Sequence, residues 1–312
     1  MQNVQPLVVV LGTGGTIAGT AARADDNVGY TAAQLGADQL VRAIPALANA
    51  ALEVHQVAQL DSKDMDFATW QLLAAHLAVQ LARPEVGGAV ITHGTDTLEE
   101  TAYFLQRVLA PAKSVVLTAA MRPATALLVD GPQNLLDAVR VAQSADARGV
   151  VAVVGGEVHS AFDVRKVHTY RVGAFSSGDA GVLAHIEEGV LRRHRSWPGG
   201  TPLGLSCVEA EAALWPRVEI VHSHVNAGGG VVRALCADGV RGIVVACTGN
   251  GTVHHALEAE LLKAQSQGVA VLRSSRCLDG AVLGTADAAL PGAGTLTPVK
   301  ARIELMLQLM RA

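Results

Sequence analysis

Short apolar runs alternate with longer stretches of helical periodicity along most of this chain. The runs are Leu7 to Leu11, Leu52 to Val57, Gly88 to Ile91, Ser114 to Leu117 and Val150 to Val154, most of them continuous rather than alternating. Unbroken Val, Leu and Ile runs suit parallel strands covered on both faces. Between them, Ala33 to Ala43, Phe67 to Leu81, Leu98 to Leu109 and Pro132 to Ser144 predict helices. The rhythm is that of a doubly wound sheet built from βαβ units. Near Glu188 it breaks. Leu191 to Gly204 holds Arg192, Arg193, His194 and Arg195 in succession, then Ser-Trp-Pro-Gly-Gly and Pro202, and reads as a linker. A second, shorter alternation follows, from Val218 to Val221 through Ile243 to Cys247 and Ala270 to Arg273, closing on a helix from Pro298 to Met310. The expected architecture is α/β. A large, mostly parallel sheet domain over 1–188 with flanking helices precedes a linker over 189–216 and a smaller α/β domain over 217–312.

Composition sharpens this picture. Half of the 312 residues are apolar but only 3% are aromatic, so the core must be packed from Ala, Val and Leu. The formal net charge is −4 with no long basic run, which argues against nucleic acid or an anionic membrane as partner. Pro6 to Leu11 is too short for a signal-peptide core, and no apolar stretch approaches the roughly 20 residues of a membrane span. Cys207, Cys236, Cys247 and Cys277 show no C-x-x-C spacing. Buried free thiols in a reducing compartment are expected, not a zinc site.

Three segments carry chemistry. The first, LGTGGTIAG at Leu11 to Gly19, follows a predicted strand. It lacks the third glycine of a dinucleotide fingerprint and the lysine of a P-loop. What remains is either a structural turn or a glycine backbone that lets a ligand approach and exposes Thr16. The second runs from Thr92 through His93, Gly94, Thr95, Asp96 and Thr97 into a predicted helix. Asp96 reads either as the N-cap of that helix or as a ligand group, since a helix start favours an anion. His93 reads more simply as a hydrogen-bonded core histidine. The third is Asp163-Val164-Arg165-Lys166, whose lysine is either solvated or, if the fold brings it under the other turns, a base. The first two lie at the carboxyl ends of predicted strands, where open α/β sheets bind ligands.

These segments resemble, in the same order, the pattern of the bacterial L-asparaginases and the related glutaminase-asparaginases. GTGGTIAG, Asp61 to Met65, THGTDTLEETAYFL, AAMRP at Ala119, DGPQNL at Asp130, DVRK, GNGT at Gly249, RSSR at Arg273 and GTLTPVKAR at Gly294 make up the series. The resemblance implies two catalytic threonines, Thr16 and Thr95. It implies that Tyr30 sits on a lid over Thr16, formed by the residues around Gly19 to Tyr30, and that Thr95, Lys166 and Asp96 form a triad with the lysine as base. Thr16 would attack, through an acyl-enzyme that water hydrolyses. Gly15, Ser62, Thr95, Asp96 and Thr252 would hold the substrate. No metal or organic cofactor is implied. The family assembly is a homotetramer whose sites are completed by a neighbour's C-terminal domain, at Thr252.

Three departures stand out. Lys63 follows Ser62 where a neutral or acidic residue is usual, so it should point outward or pair with an acid. The acid a neighbour lends to the substrate ammonium should fall near Asp287, in a segment with few acids. No cysteine precedes Cys207, so an N-terminal disulfide is absent, and cytoplasm is favoured unless a signal peptide has been removed. The expected activity is hydrolysis of L-asparagine to L-aspartate and ammonia. Rivals are a glutaminase-asparaginase, since one methylene discriminates by only about 1–3 kcal/mol, the amidase subunit of a tRNA amidotransferase, and a non-catalytic amino-acid sensor. The amidotransferase subunit would need a further domain, for which the chain has no room. The sensor would be expected to lose Thr16, Thr95 or Lys166, and all three are present.

Overall fold

The computed structural model describes residues 5–284 and 288–311. By contact density the chain divides into two compact units between Ser206 and Cys207. The first is built on an eight-stranded sheet, whose strands β1 (Leu7–Gly14), β2 (Leu52–Leu60), β3 (Val86–Thr92), β4 (Ser114–Thr118) and β5 (Gly149–Val154) are parallel. Helices α1 (Ala37–Arg42), α2 (Phe67–Ala82), α3 (Leu98–Leu109) and α4 (Gly131–Gln143) fill the connections. Val8 to Leu11, Val90, Ile91 and Val115 to Leu117 are fully buried, which is why these strands read as continuous apolar runs. The α/β architecture with a mostly parallel first sheet is the one expected.

The strand order runs β5-β4-β3-β1-β2 across the parallel part. From β1 the chain crosses first to one side, forming β2, and then to the other, forming β3. The order therefore reverses between β1 and β3, and open α/β sheets form their ligand crevice at such a point. Thr16 follows β1 and Thr95 follows β3.

The helix expected from Ala33 begins only at Ala37. Ala33 takes a left-handed φ of 56°, and Gln39 Oε1 accepts the Gly36 N–H at the true helix start. The segment 189–216 differs more from the linker reading. Strands β6 (Glu157–Ser160), β9 (Ala184–Glu187) and β10 (Val190–Arg193) extend the sheet antiparallel beyond β5. β7 (Arg165–Lys166) and β8 (Phe175–Ser176) form a separate two-stranded ribbon. Arg192, Arg193 and Arg195 pair with Glu187, Asp146 and Asp163, while His194 Nε2 lies 2.8 Å from His185 Nδ1. Trp197 is buried in the core below. The basic run is thus the end of an edge strand and the two residues beyond it. Two of its charges are matched by carboxylates distant in sequence, Asp146 and Asp163, which local composition cannot reveal.

The second unit holds a parallel three-stranded sheet in the order β11 (Val218–His222), β12 (Gly242–Cys247), β13 (Ala270–Ser275). Helices α5 (Gly230–Ala237) and α6 (His255–Ser266) bury Val232, Leu257 and Leu261 against Ile243, Val245 and Val271. Helix α7 (Pro298–Leu309) packs on β11 and β12. Among the cysteines only Cys247 is fully buried, which pushes its thiol up to about 11. Cys207 and Cys236 are half-buried and Cys277 is exposed, contrary to the expectation of buried thiols. Cys277 follows β13 in a turn, and a turn has no core to enter. No helix among the described residues is long and apolar enough to cross a membrane.

Candidate active site

Two glycines bring the turns after β1 and β3 together. Gly15 has φ 82°, and a Cβ added there would lie 2.4 Å from Gly94 Cα. A Cβ on Gly94 would in turn lie 2.4 Å from Ser62 Oγ. Only bare backbone permits this stacking of three segments. Gly15 donates its N–H to Leu60 O at 2.9 Å, so that donor is spent within the fold.

Thr16 opens a short 3₁₀ turn at the end of β1 and is 8% exposed. Its Oγ1 lies 2.7 Å from Tyr30 Oη. Tyr30 stands at the end of an irregular segment closed by an antiparallel bridge between Thr20 and Thr31. That segment is tied down at several points. Asp26 Oδ1 accepts the Val28 and Gly29 N–H groups, Thr125 Oγ1 accepts the Ala21 N–H, and Ala24 O accepts the Leu127 N–H.

Thr95 is buried. Lys166 Nζ donates to Thr95 Oγ1 at 2.9 Å and to Asp96 Oδ1 at 2.5 Å. Lys166 sits on β7, far from Thr95 in sequence, so the fold selects the non-solvated alternative. The N-cap alternative for Asp96 fails in detail. Thr97 is the N-cap of α3, and its hydroxyl donates to Ser62 O at 2.8 Å while Asp96 takes the lysine. Ser62 is buried, and its Oγ accepts the Asp96 N–H at 3.2 Å.

His93 is fully buried, as a core histidine should be. Trp70 Nε1 donates to Thr101 Oγ1, which lies 2.9 Å from His93 Nε2, and His93 Nδ1 lies 2.8 Å from Gly94 O. With the indole donating, the hydroxyl proton points to Nε2 and the ring proton sits on Nδ1. Burial drives the imidazole down to about 4, against the opposing pull of the Gly94 carbonyl. It is a neutral prop under the Thr95 turn.

Lys63 points outward and bonds to the Asp64 carboxylate, which together with Asp61 and Asp96 holds its pKa above the ordinary value. Sequence reading did not single out Asp130, which is half-buried. Its two oxygens accept the Met121 and Arg122 N–H groups at 2.8 and 3.0 Å, joining AAMRP to the start of α4. Burial raises its pKa against those donors. Its place in DGPQNL, ahead of a Gly-Pro helix start, was the available signal. Thr252 belongs to the second unit, exposed and paired with Thr248 in the GNGT turn. Asp287 lies outside the described residues.

Buried hydroxyls held by a phenol and by an ammonium–carboxylate pair at a sheet switch point suit acyl transfer. Residues 7–198 match the family model for the asparaginase N-terminal domain, and residues 217–312 that for the glutaminase/asparaginase C-terminal domain. The chain is 38% identical to a probable periplasmic L-asparaginase of Haemophilus influenzae, covering 97% of this chain and 88% of that one. It is 37% identical to a glutaminase-asparaginase of Pseudomonas fluorescens, covering 97% and 86%. A crystal structure of a probable cytoplasmic L-asparaginase from Campylobacter jejuni superposes with a TM-score of 0.92 at 37% identity, covering 98% and 96%. With both domain models matched in order and relatives aligned over nearly their full length, this chain belongs to the asparaginase family.

Proposed function

We propose that this enzyme hydrolyses L-asparagine to L-aspartate and ammonia. The observation that carries the reading is the meeting of Thr16 and Thr95 at one switch point, each hydroxyl bonded to a side chain able to move a proton. In this reading Thr16 attacks the side-chain amide carbon, and its proton passes to the Tyr30 hydroxyl as that phenol hands its own on toward the Thr95 relay. Backbone N–H groups of the two turns hold the oxyanion. Thr95, Lys166 and Asp96 relay a proton to the leaving ammonia, and water cleaves the acyl-enzyme at Thr16. The Ser62 hydroxyl, still free to donate, holds the α-carboxylate. Asp96 Oδ2 faces the α-ammonium. Gly15 contributes a surface without a side chain, close to the reacting atoms. In the same reading the segment that ends on Tyr30, closed by the Thr20–Thr31 bridge, is the lid over Thr16.

A second reading, comparable use of L-glutamine, is favoured by one observation: relatives bearing either name stand at nearly equal identity, 38% and 37%. Ammonia release from the two amides, side by side with chelator present, tests both. Fast release from asparagine alone supports the first, equal rates the second, and release from neither overturns both.

The assembly proposed is a homotetramer in which a neighbour's Thr252 completes each site, tested by light scattering and by the KM of Thr252→Ala. The half-buried and exposed free thiols support a reducing, cytoplasmic setting, although named relatives include both a periplasmic and a cytoplasmic protein. Cell fractionation decides it.

A further inference from the structure

Behind the Thr16 turn lies a cavity of about 160 Å³ that the reaction does not use. Its floor is Ile17, Leu40, Ile44 and Leu135, all buried and aliphatic. An apolar cavity of ~150 Å³ is large enough to admit a benzene-sized ligand. Arg122 is the one charged side chain on the lining. Its Nη1 donates to Met121 O and Tyr170 O, and its guanidinium lies 4.4 Å over the Tyr170 ring. Both bonds use Nη1, so the Nε–Nη2 edge is the one a carboxylate would take, in the bidentate manner of such pairs. A mostly apolar hole with two polar side chains on its lining, Gln39 and Arg122, has the form of a small-molecule site.

The walls are also the supports of the Thr16 turn. Ile17 directly follows Thr16, and a Cβ on Gly131 would come within 2.9 Å of Ile17 Cγ1. Leu35 donates its N–H to Ala18 O at 2.9 Å, and Ala124 donates to Gly19 O at 2.8 Å. Both residues line the cavity. A guest therefore presses on Ile17 from one side and on both anchors of the turn from the other. Packed interiors answer such pressure by shifting between discrete arrangements rather than by yielding smoothly.

We propose that this cavity is a regulatory site for a monocarboxylate with a compact aromatic or branched hydrocarbon group, which changes turnover by acting on Ile17 and the Thr16 turn. The binding claim stands independently of the proposed reaction; the effect on turnover rests on that reading.

The test uses the intact enzyme with benzoate, cyclohexanecarboxylate and toluene as probes. Calorimetry should find one saturable benzoate site per chain, displaced by cyclohexanecarboxylate and not by L-aspartate. Arg122→Gln should weaken benzoate about tenfold while toluene is unchanged. Ala43→Trp, an exposed position on the rim, should plug the cavity and abolish binding of all three with basal turnover intact. Saturating benzoate should change wild-type kcat at least about twofold and leave Ala43→Trp unaffected. Displacement by L-aspartate, full binding to Ala43→Trp, or no saturable binding of any probe overturns the site. Saturable binding with unchanged kcat in an enzyme that releases ammonia overturns the regulation. Absence of ammonia release alone sinks the reaction and leaves the binding result to stand or fall by itself.

Discussion

The two threonine hydroxyls are held by opposite means. Thr95 sits on a turn propped from beneath by neutral His93, locked to Ser62 at its side, and bonded to a lysine paired with a carboxylate. Thr16 has a single phenol at 2.7 Å, delivered by a segment without regular structure. The first is a charged, pre-set network in which every side chain has a fixed partner. The second is neutral, and it is complete only while the 20–31 segment keeps Tyr30 in place. In the proposed reaction the difference is a division of labour: Thr95 would belong to a standing proton relay, and the Thr16 hydroxyl would be completed when the 20–31 segment brings Tyr30 over it. A nucleophile gains from late assembly, since closure then excludes water before attack.

Removing either hydroxyl should have the largest effect. Thr16→Ala and Thr95→Val are each expected to lower kcat at least about a thousandfold with the melting temperature little changed. Near-full activity in either variant would break the pairing of roles. Next, Tyr30→Phe and Lys166→Met should each cost about a hundredfold in kcat, but by different routes. The lysine variant loses an ion pair and should reshape the pH–rate profile, while the phenylalanine variant should lower the plateau alone. Identical profiles would erase the contrast between a charged and a neutral support.

A smaller effect concerns the prop beneath Thr95. His93 is held neutral, at about 4 against an ordinary 6.5. The unfolded chain takes up a proton below about 6.5 that the folded one refuses until about 4. Stability from this group is therefore complete above pH 6.5 and declines as pH falls, by about 1.4 kcal/mol per unit down to 4. Urea unfolding between pH 7 and 5 should show this slope in wild type and lack it in His93→Gln, which keeps both hydrogen-bond roles.

The smallest expected effect is at Lys63. Its ammonium lies within electrostatic reach of Asp96, so it opposes a cationic group held there. Lys63→Gln should lower KM about two- to threefold at low ionic strength, with the gain vanishing by about 1 M salt. An unchanged KM would mean that Asp64 already neutralises it.

Legibility followed range. The Val and Leu runs of β1, β3, β4 and β5 were plain because burial on both faces demands unbroken apolar sequence. Helix α3 was plain because its apolar stripe recurs at helical spacing. Strands β6, β9 and β10 were missed, being short, antiparallel and partly solvent-facing, with Arg192 to Arg195 imitating a linker. In the site, the two turns announced themselves through glycine and threonine after apolar runs, and the family pattern supplied roles for Tyr30 and Lys166. The alternatives for Asp96 and Lys166 stayed open until their partners were in view.

By itself the chain determined its parallel strands and the flexible glycine turns after β1 and β3, because these are set by neighbours within a few residues. Only the tertiary structure decided that β1 and β3 flank the switch point, that Gly15 meets Gly94, that Lys166 reaches Thr95 from the short ribbon, and that a mostly apolar cavity lies behind Ile17. Each of those is a contact between residues distant in sequence. Such contacts form when buried backbones must pair and pack, and no local window of sequence encodes which distant surface will arrive.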